Sequence, residues 1–216
     1  RGGESDNVLS TLEVWDGHLA AHGAQLLAGR LELVHDLAPH LAESYRSIAP
    51  ESRPASIRYK SSLGSSLDPE FTDPARISGI DDVAYLEERF HLELAQMRSK
   101  EIDRGVCLVG PHRDDLELIL GDSPAKGFAS HGESWSMAIS LRIGSYNLLK
   151  SEGADPVLIL DDIFAELDTA RRQQLTSVTE MAEQTFITAA VESDLPAELL
   201  STKFYVTPGQ ATKGEM

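Results

Sequence analysis

The sequence has little of three things that would place it in a specialised class of protein. It contains a single cysteine, Cys107, among 216 residues, so an internal disulfide framework is excluded and a reducing, cytoplasmic setting is expected. No apolar run approaches the roughly 18 residues of a membrane-spanning helix. Basic residues are scarce, because 19 Lys and Arg stand against 35 Asp and Glu. This balance argues against a generally basic surface for nucleic acid and does not exclude a local basic groove.

The first part of the chain is dominated by helix patterns. From about Asn7 to Ile48, apolar residues recur every three or four positions, which predicts a long amphipathic helix. Gly23 and Pro39 are the two places where this helix could be interrupted. The segment Ser56 to Leu63 alternates weakly between apolar and polar residues and predicts a strand.

A second helix is predicted from about Asp81 to Ser99, with Asp81 or Asp82 as its N-cap. Its apolar positions form one stripe along the helix: Val83, Leu86, Phe90, Leu94 and Met97. Two long helices with little strand between them predict a helical lobe over residues 1–104.

After Gly105 the pattern changes to alternating strands and helices. The predicted elements are, in order, strands on either side of a turn at Gly110-Pro111, the second over Leu116 to Leu120, a helix from Glu133 to Lys150, a strand from Val157 to Leu160, a helix from Thr169 to Ala182 and a strand from Thr185 to Val191. Strand, helix and strand at this spacing predict a parallel crossover unit. The continuous apolar run VLIL favours a strand buried on both faces.

Two carboxylates follow that run directly. Ligands of parallel sheets bind beyond the carboxyl ends of the strands, where Asp161 and Asp162 stand. Adjacent carboxylates repel each other unless a cation lies between them, and Mg²⁺ prefers oxygen ligands. We expect Asp161 to hold the metal and Asp162 to orient or deprotonate an attacking water. An acidic strand end that only caps the next helix, or a phosphoacceptor pocket, would give the same two residues.

Four ordered segments together resemble the RecF family of ABC-type ATPases, most closely its actinobacterial members. VLILDDIFAELD resembles a Walker B strand followed by a D-loop at residues 165–168, and FASHGESWS resembles the ABC signature. The remaining two similar segments are GPHRDDLEL at residues 110–118 and QTFITAAVESDLP at residues 184–196. The resemblance extends over nearly the whole chain, although its strong motifs lie within residues 110–191.

The resemblance implies a fold, a function and partners. The fold would be α/β, the C-terminal half of an ABC-type ATPase head over residues 105–216, plus the helical lobe. The function would be that of an ATP-dependent DNA-binding protein of recombinational repair, replication restart and the SOS response. Its cofactors would be ATP and Mg²⁺. Its partners would be gapped single- and double-stranded DNA, a second copy bound through ATP, and recombination mediator proteins, with no membrane.

The resemblance also assigns residues of the signature and the D-loop. Ser130 and Gly132 would bind the γ-phosphate of ATP held by the other subunit, with Glu133 beside them, and Asp168 would reach across the same interface. Physical reasoning offers a local alternative, because Ser130 and Glu133 have the S-x-x-E spacing of a helix capping box. Asp168 could likewise be only the N-cap of the following helix.

Several features depart from the family pattern. The sequence has no G-x-x-x-x-G-K-[ST] loop, and it opens as if cut from a longer chain, so we expect no ATP hydrolysis by this chain alone. ABC heads usually carry Glu where Asp162 stands and a switch histidine where this chain has Thr188, Ala189 and Ala190. These changes favour a slow ATPase that acts as a clamp. His131, within the signature, is interpreted as a local loop residue.

Two other interpretations remain open. The chain could be a DNA- or partner-binding module with vestigial ATPase motifs, or part of another SMC- or Rad50-like repair ATPase, although its lobe is too short for their coiled coils. Arg113 is interpreted as structural, and Arg171 and Arg172 as a solvated helix face. The candidate basic residues of the lobe are scattered: Arg53, Arg58, Lys60, Arg98, Lys100 and Arg104.

Overall fold

The computed structural model describes residues 2–67, 83–196, 199 and 202–214. Its helices are α1 (Gly2–Ile48), α2 (Val83–Arg104), α3 (His131–Ser151) and α4 (Thr169–Thr179). Its strands are β1 (Ala55–Lys60), β2 (Asp115–Leu120), β3 (Ser123–Pro124), β4 (Leu158–Asp161), β5 (Thr185–Thr188), β6 (Phe204–Thr207) and β7 (Gln210–Lys213). The described helices include none that is both long and apolar enough to cross a membrane. The predicted N-cap at Asp81 or Asp82 lies outside the described residues.

The chain divides into two compact units, residues 1–148 and residues 149–216. The sequence instead places a domain boundary between residues 104 and 105. The difference arises because β2 pairs with β1 in one antiparallel sheet, so residues well beyond 105 fold together with the first part of the chain. The division of a larger protein into lobe and head stays a prediction.

The long helix α1 organises the first unit. It continues without a break through Gly23 and Pro39, so neither position interrupts it. A proline removes one backbone hydrogen bond, but tertiary packing of an amphipathic face contributes most of a helix's stability. Here that face is buried along most of its length, and its fully enclosed members include Leu27, Leu31 and Leu41. From α2, the predicted stripe residues Leu86, Phe90 and Leu94 join the same core.

An antiparallel sheet in the order β1-β2-β3 completes this unit. Its register runs from Ala55 opposite Leu120 to Lys60 opposite Asp115. Side chains alternate between the two faces of a strand, and β1 accordingly buries Ala55, Ile57 and Tyr59 and exposes the residues between them.

The strand predicted just before Gly110-Pro111 is wrong. Residues 107–109 form an irregular segment, and a carboxylate rather than another strand binds their backbone. Glu101 Oε1 accepts hydrogen bonds from the N–H groups of Leu108 at 2.6 Å and Val109 at 3.2 Å. Because those donors are already satisfied, a strand ladder would bring no further gain there.

The second unit contains the predicted parallel crossover, which is confirmed. Strands β4 and β5 pair in parallel, from Leu158 opposite Thr185 to Asp161 opposite Thr188, and α4 lies between them in the chain. Both α4 and β5 end three residues earlier than predicted, at Thr179 and Thr188. A separate antiparallel hairpin, β6-β7, follows.

The expectation that VLIL is buried on both faces is wrong for this chain. Leu158 and Leu160 are buried, but Ile159 is 67% exposed, and its cross-strand neighbour Phe186 is 53% exposed. In the described residues, one face of this two-stranded sheet is covered and the other is exposed. The apolar run therefore behaves as a half-buried strand.

A close helix contact in the first unit makes one position sensitive to a single methyl group. A Cβ on Gly144 would lie 3.0 Å from the backbone nitrogen of Leu41 and 3.1 Å from its Cα. Backbone cannot move aside as a side chain can, so we expect Gly144→Ala to lower the free energy of unfolding by about 1–3 kcal/mol. Urea unfolding monitored by circular dichroism measures this.

The matched control is Gly17→Ala, also within a helix, where an added Cβ meets nothing within 4 Å. It should raise stability by about 0.5–1 kcal/mol, because alanine restricts the unfolded chain more than glycine. Equal effects of the two substitutions would contradict the close contact.

Candidate functional site

The carboxyl end of β4 carries the two predicted metal-site aspartates. Asp161 is the last residue of the strand, and Asp162 follows with φ 52° and ψ 24°, in the left-handed region. Asp162 is the only non-glycine residue with positive φ among those described. Such outliers cost of order 1–3 kcal/mol and persist only where their surroundings fix them. Both aspartates are exposed.

Thr188, at the end of β5, bonds to both aspartates. Its hydroxyl donates to Asp161 Oδ1, and it accepts from the Asp162 N–H at 3.0 Å. The same N–H also approaches the Thr188 carbonyl oxygen at 3.2 Å. Sequence reasoning treated Thr188 only as the place of a missing histidine. The predicted parallel pairing could have indicated this contact, since it sets the carboxyl ends of the two strands side by side.

The described residues contain no cluster of three or more His, Cys, Asp or Glu arranged to hold a metal ion. Asp161 and Asp162 therefore offer two carboxylates and leave the remaining coordination positions open. This donor set fits Mg²⁺, which usually keeps several waters and binds through one or two carboxylates plus phosphate oxygens.

The predicted D-loop at residues 165–168 begins within a short 3₁₀ turn, Ile163–Glu166, and the side chains of Phe164 and Leu167 in this stretch are buried. Asp168 is the N-cap of α4 and accepts from the Arg171 N–H at 2.9 Å. The guanidinium of Arg171 also pairs with Asp168, and that of Arg172 donates to the Leu167 carbonyl at 2.9 Å. The interpretation of these arginines as a merely solvated face is therefore wrong, because both hold the turn into α4.

The predicted signature begins α3, and its capping box is confirmed. The Ser130 N–H donates to Glu133 Oε2 at 2.9 Å, and the Glu133 N–H donates to Ser130 Oγ at 3.2 Å. Arg53 adds an ion pair to Glu133 at 3.0 Å. The bond from the Ser130 backbone and then the bond from Arg53 lower the pKa of Glu133 to about 2. The helix N-terminus thus already holds one anion of its own.

His131 is the first residue of α3. Its Nε2 accepts a hydrogen bond from the indole N–H of Trp135, one turn later, at 3.0 Å. Because an indole nitrogen can only donate, this bond places the imidazole proton on Nδ1. The interpretation of His131 as a local residue agrees with this contact.

Side chains of the GPHRDD segment form hydrogen bonds that connect distant parts of the first unit. Arg113 donates to the Cys107 carbonyl at 2.8 Å, which confirms its structural role. Asp114 accepts from the Tyr59 hydroxyl at 2.7 Å and from the Ser62 N–H at 2.6 Å. Burial and the bond to Asp114 raise the pKa of Tyr59. The sequence signalled neither partner, since both lie about 50 residues earlier in the chain.

Among the residues that the structure describes, three of the six candidate basic residues of the lobe are seen with carboxylate partners. Arg53 pairs with Glu133, Arg58 with Glu117 and Arg98 with Asp16. Each of these three guanidinium groups therefore has a carboxylate beside it, which lowers the local positive potential.

Comparison with solved structures defines the class of fold. The recombination mediator protein RecF with ATP, in the RecFOR pathway, superimposes with a TM-score of 0.74 at 22% identity over 95% of this chain and 51% of that one. The form with ATPrS gives a TM-score of 0.73 at 22% identity over 94% and 50%. The chain therefore has the fold of the corresponding part of the RecF ATPase.

Comparison with curated sequences gives a relative of high identity. The DNA replication and repair protein RecF of Rhodococcus erythropolis is 81% identical over 216 residues, which is 100% of this chain and 53% of that protein. No family model matches. The chain spans about half the length of the curated relative, and the predicted resemblance to RecF is confirmed along all of it.

The capping box makes stability depend on pH in a defined direction. The pKa of Glu133 is lowered to about 2 from 4.5 in the folded state, so its contribution is fully present above about pH 5 and is lost as the pH falls towards 2. We expect the difference in unfolding free energy between wild type and Glu133→Gln to shrink over that range. Urea unfolding at a series of pH values measures it.

Arg53→Ala should raise the pKa of Glu133 only partway, since the first cause is the Ser130 backbone bond. Arg58→Ala, which removes a similar arginine paired with Glu117, is the matched control. A Glu133 titration by NMR that responds equally to both would exclude the assigned cause.

Asp114→Ala should be strongly destabilising. It leaves the Tyr59 hydroxyl and the Ser62 N–H without their acceptor, and an unsatisfied buried group costs about 1–3 kcal/mol. The neighbouring exposed Asp115 accepts from the Leu116 N–H beside it, so Asp115→Ala should cost less than about 0.5 kcal/mol. Thermal unfolding of the two variants measures this difference. Similar losses of stability in both would contradict the structural role of Asp114.

Proposed function

We propose that this chain supplies the signature, Walker B and D-loop elements of a RecF-like ATPase that binds DNA in recombinational repair and replication restart. The observation that carries the proposal is 81% identity to RecF along the entire chain, together with the ordered motifs. The partners would be gapped DNA, a second copy of the protein and recombination mediator proteins in the cytoplasm, with ATP and Mg²⁺ as cofactors.

Asp161 and Asp162 would serve the nucleotide bound to their own subunit. Asp161 would hold Mg²⁺, which would supply positive charge to stabilise the phosphates of bound ATP. Asp162 would orient the attacking water or accept its proton. Its backbone is fixed by two bonds to Thr188, which limits the directions its side chain can take. Aspartate is shorter than the glutamate usual at this position, which supports slow hydrolysis.

Ser130, Gly132 and Glu133 would serve the nucleotide of the other subunit. Ser130 Oγ accepts from the Glu133 N–H, so its own proton stays available for a phosphate oxygen. The Ser130 N–H is held by the Glu133 carboxylate, so a phosphate seeking that donor competes with this carboxylate. Capping and phosphate binding would then be alternative states of one helix end.

Asp168 would contact the partner subunit in the D-loop role. Its carboxylate is exposed at 53% of the side-chain area and is held by Arg171 of its own chain. This pair would help to hold the D-loop in place for contact with a partner. Because the sequence contains no P-loop, the complete site would need that element from another segment, and this chain alone would not hydrolyse ATP.

The test uses a chimera in which this chain replaces the matching 53% of Rhodococcus erythropolis RecF. Ser130→Arg should abolish ATP-dependent dimerisation, because a bulky side chain fills the phosphate position at the start of α3. Asp162→Asn should lower hydrolysis at least about 10²-fold, since general base catalysis contributes about that much, yet leave dimerisation intact. Sedimentation and phosphate release measure the two effects.

Ser177→Arg, on the exposed face of α4, is the matched control for the added charge. If Ser130→Arg changes neither dimerisation nor ATP-dependent DNA binding relative to this control, the chain is a binding module rather than part of an ATPase site.

A further inference from the structure

Thr188 is placed beside both candidate catalytic aspartates by the register of the parallel sheet. Asp161 and Thr188 are direct partners across β4 and β5. The threonine hydroxyl donates to Asp161 Oδ1 and accepts from the Asp162 N–H at 3.0 Å. One hydroxyl thus uses its donor on one aspartate and its acceptor on the other.

The conformation of Asp162 makes these bonds more than routine strand pairing. A left-handed non-glycine residue is unfavourable by itself, and Asp162 is the one such residue in the described ranges. Its N–H is held from β5, by the hydroxyl and the carbonyl of Thr188. The contact therefore fixes where the backbone turns, and with it the direction from which the Asp162 side chain leaves the strand end.

The same hydroxyl restricts Asp161. With Oδ1 engaged by Thr188, the carboxylate is held in one orientation and Oδ2 is left for a metal or its water. This arrangement suits Mg²⁺, which favours single oxygen ligands in octahedral geometry. Neighbours that orient a metal ligand in this way typically change metal affinity or activity 10–100-fold when removed.

We infer that Thr188 is a positioning residue of the ATPase site: its hydroxyl presents Asp161 to Mg²⁺ through one oxygen and fixes the orientation of Asp162 towards the attacking water. This inference rests on the proposed function. It also gives a role to the segment in which the family pattern leads one to expect a histidine, because Ala189 and Ala190 have no side-chain donor or acceptor. The neutral hydroxyl of Thr188 thereby links β5 to the candidate metal site.

The test compares Thr188→Val and Thr188→Ser in the chimera with Rhodococcus erythropolis RecF. Valine keeps nearly the same volume and removes the hydroxyl, whereas serine keeps the hydroxyl. Thr188→Val should raise the Mg²⁺ concentration for half-maximal hydrolysis roughly tenfold or more and lower kcat with little change in KM for ATP. Thr188→Ser should restore both. A Mn²⁺ titration of the ATP-loaded chimera, followed by electron paramagnetic resonance, should show the same weakening without any turnover.

Thr185→Val is the matched control, because Thr185 lies on the same strand and its hydroxyl contacts only the Thr179 carbonyl among the bonds described, at 3.3 Å. It should leave the metal dependence unchanged. If Thr188→Val lowers only the thermal stability and leaves the Mn²⁺ titration and the Mg²⁺ dependence as in wild type, Thr188 is structural and the inference is overturned.

The two proposals fail differently. If Asp162→Asn has no effect on hydrolysis, the proposed function fails. If Asp162→Asn abolishes hydrolysis while Thr188→Val matches Thr185→Val in every readout, only the role of Thr188 fails.

Discussion

The parallel pairing of β4 with β5 is the constraint on which the candidate catalytic end depends. Its register sets Asp161 opposite Thr188, and the next peptide turns into the left-handed region because β5 supplies two acceptors for its N–H. A shift of one residue would reverse the faces of every side chain on the strand. It would also separate the threonine from both aspartates. The strand pairing therefore brings the two aspartates and Thr188 together, and the bond from the Thr188 hydroxyl to Asp161 Oδ1 then orients that carboxylate.

The start of α3 works by a different principle. The exposed N–H groups of a helix attract anions, and this helix satisfies part of that demand with Glu133, which Arg53 in turn holds. A phosphate arriving from another molecule would compete with an internal carboxylate of lowered pKa. The capping box would therefore raise the free-energy cost of phosphate binding at this helix end, because the bonds to Glu133 would have to open first.

Local pattern predicted the elements better than it predicted their surroundings. The helices and the capping box follow from spacings of a few residues, and the parallel crossover follows from the order of strand, helix and strand along the chain. The strand predicted before Gly110 is absent because the backbone donors of that segment bond to the side chain of Glu101. The predicted burial of β4 on both faces is wrong because burial depends on what covers each face of the sheet. Thr188 was overlooked as a partner for the aspartates for a related reason: its contact joins residues that are 27 apart in the chain, and only the register brings them together.

Charge explains why this chain would meet phosphates through backbone groups and single side chains. With a formal net charge of -16, its long-range field repels nucleotides and DNA, and three of the lobe arginines are bound to carboxylates. Attraction must then come from short-range elements, the α3 N-terminus and a cation held at Asp161, or from another part of a larger protein. A divalent cation at Asp161 and Asp162 would neutralise the two carboxylates and so remove the local repulsion of a phosphate at the strand end.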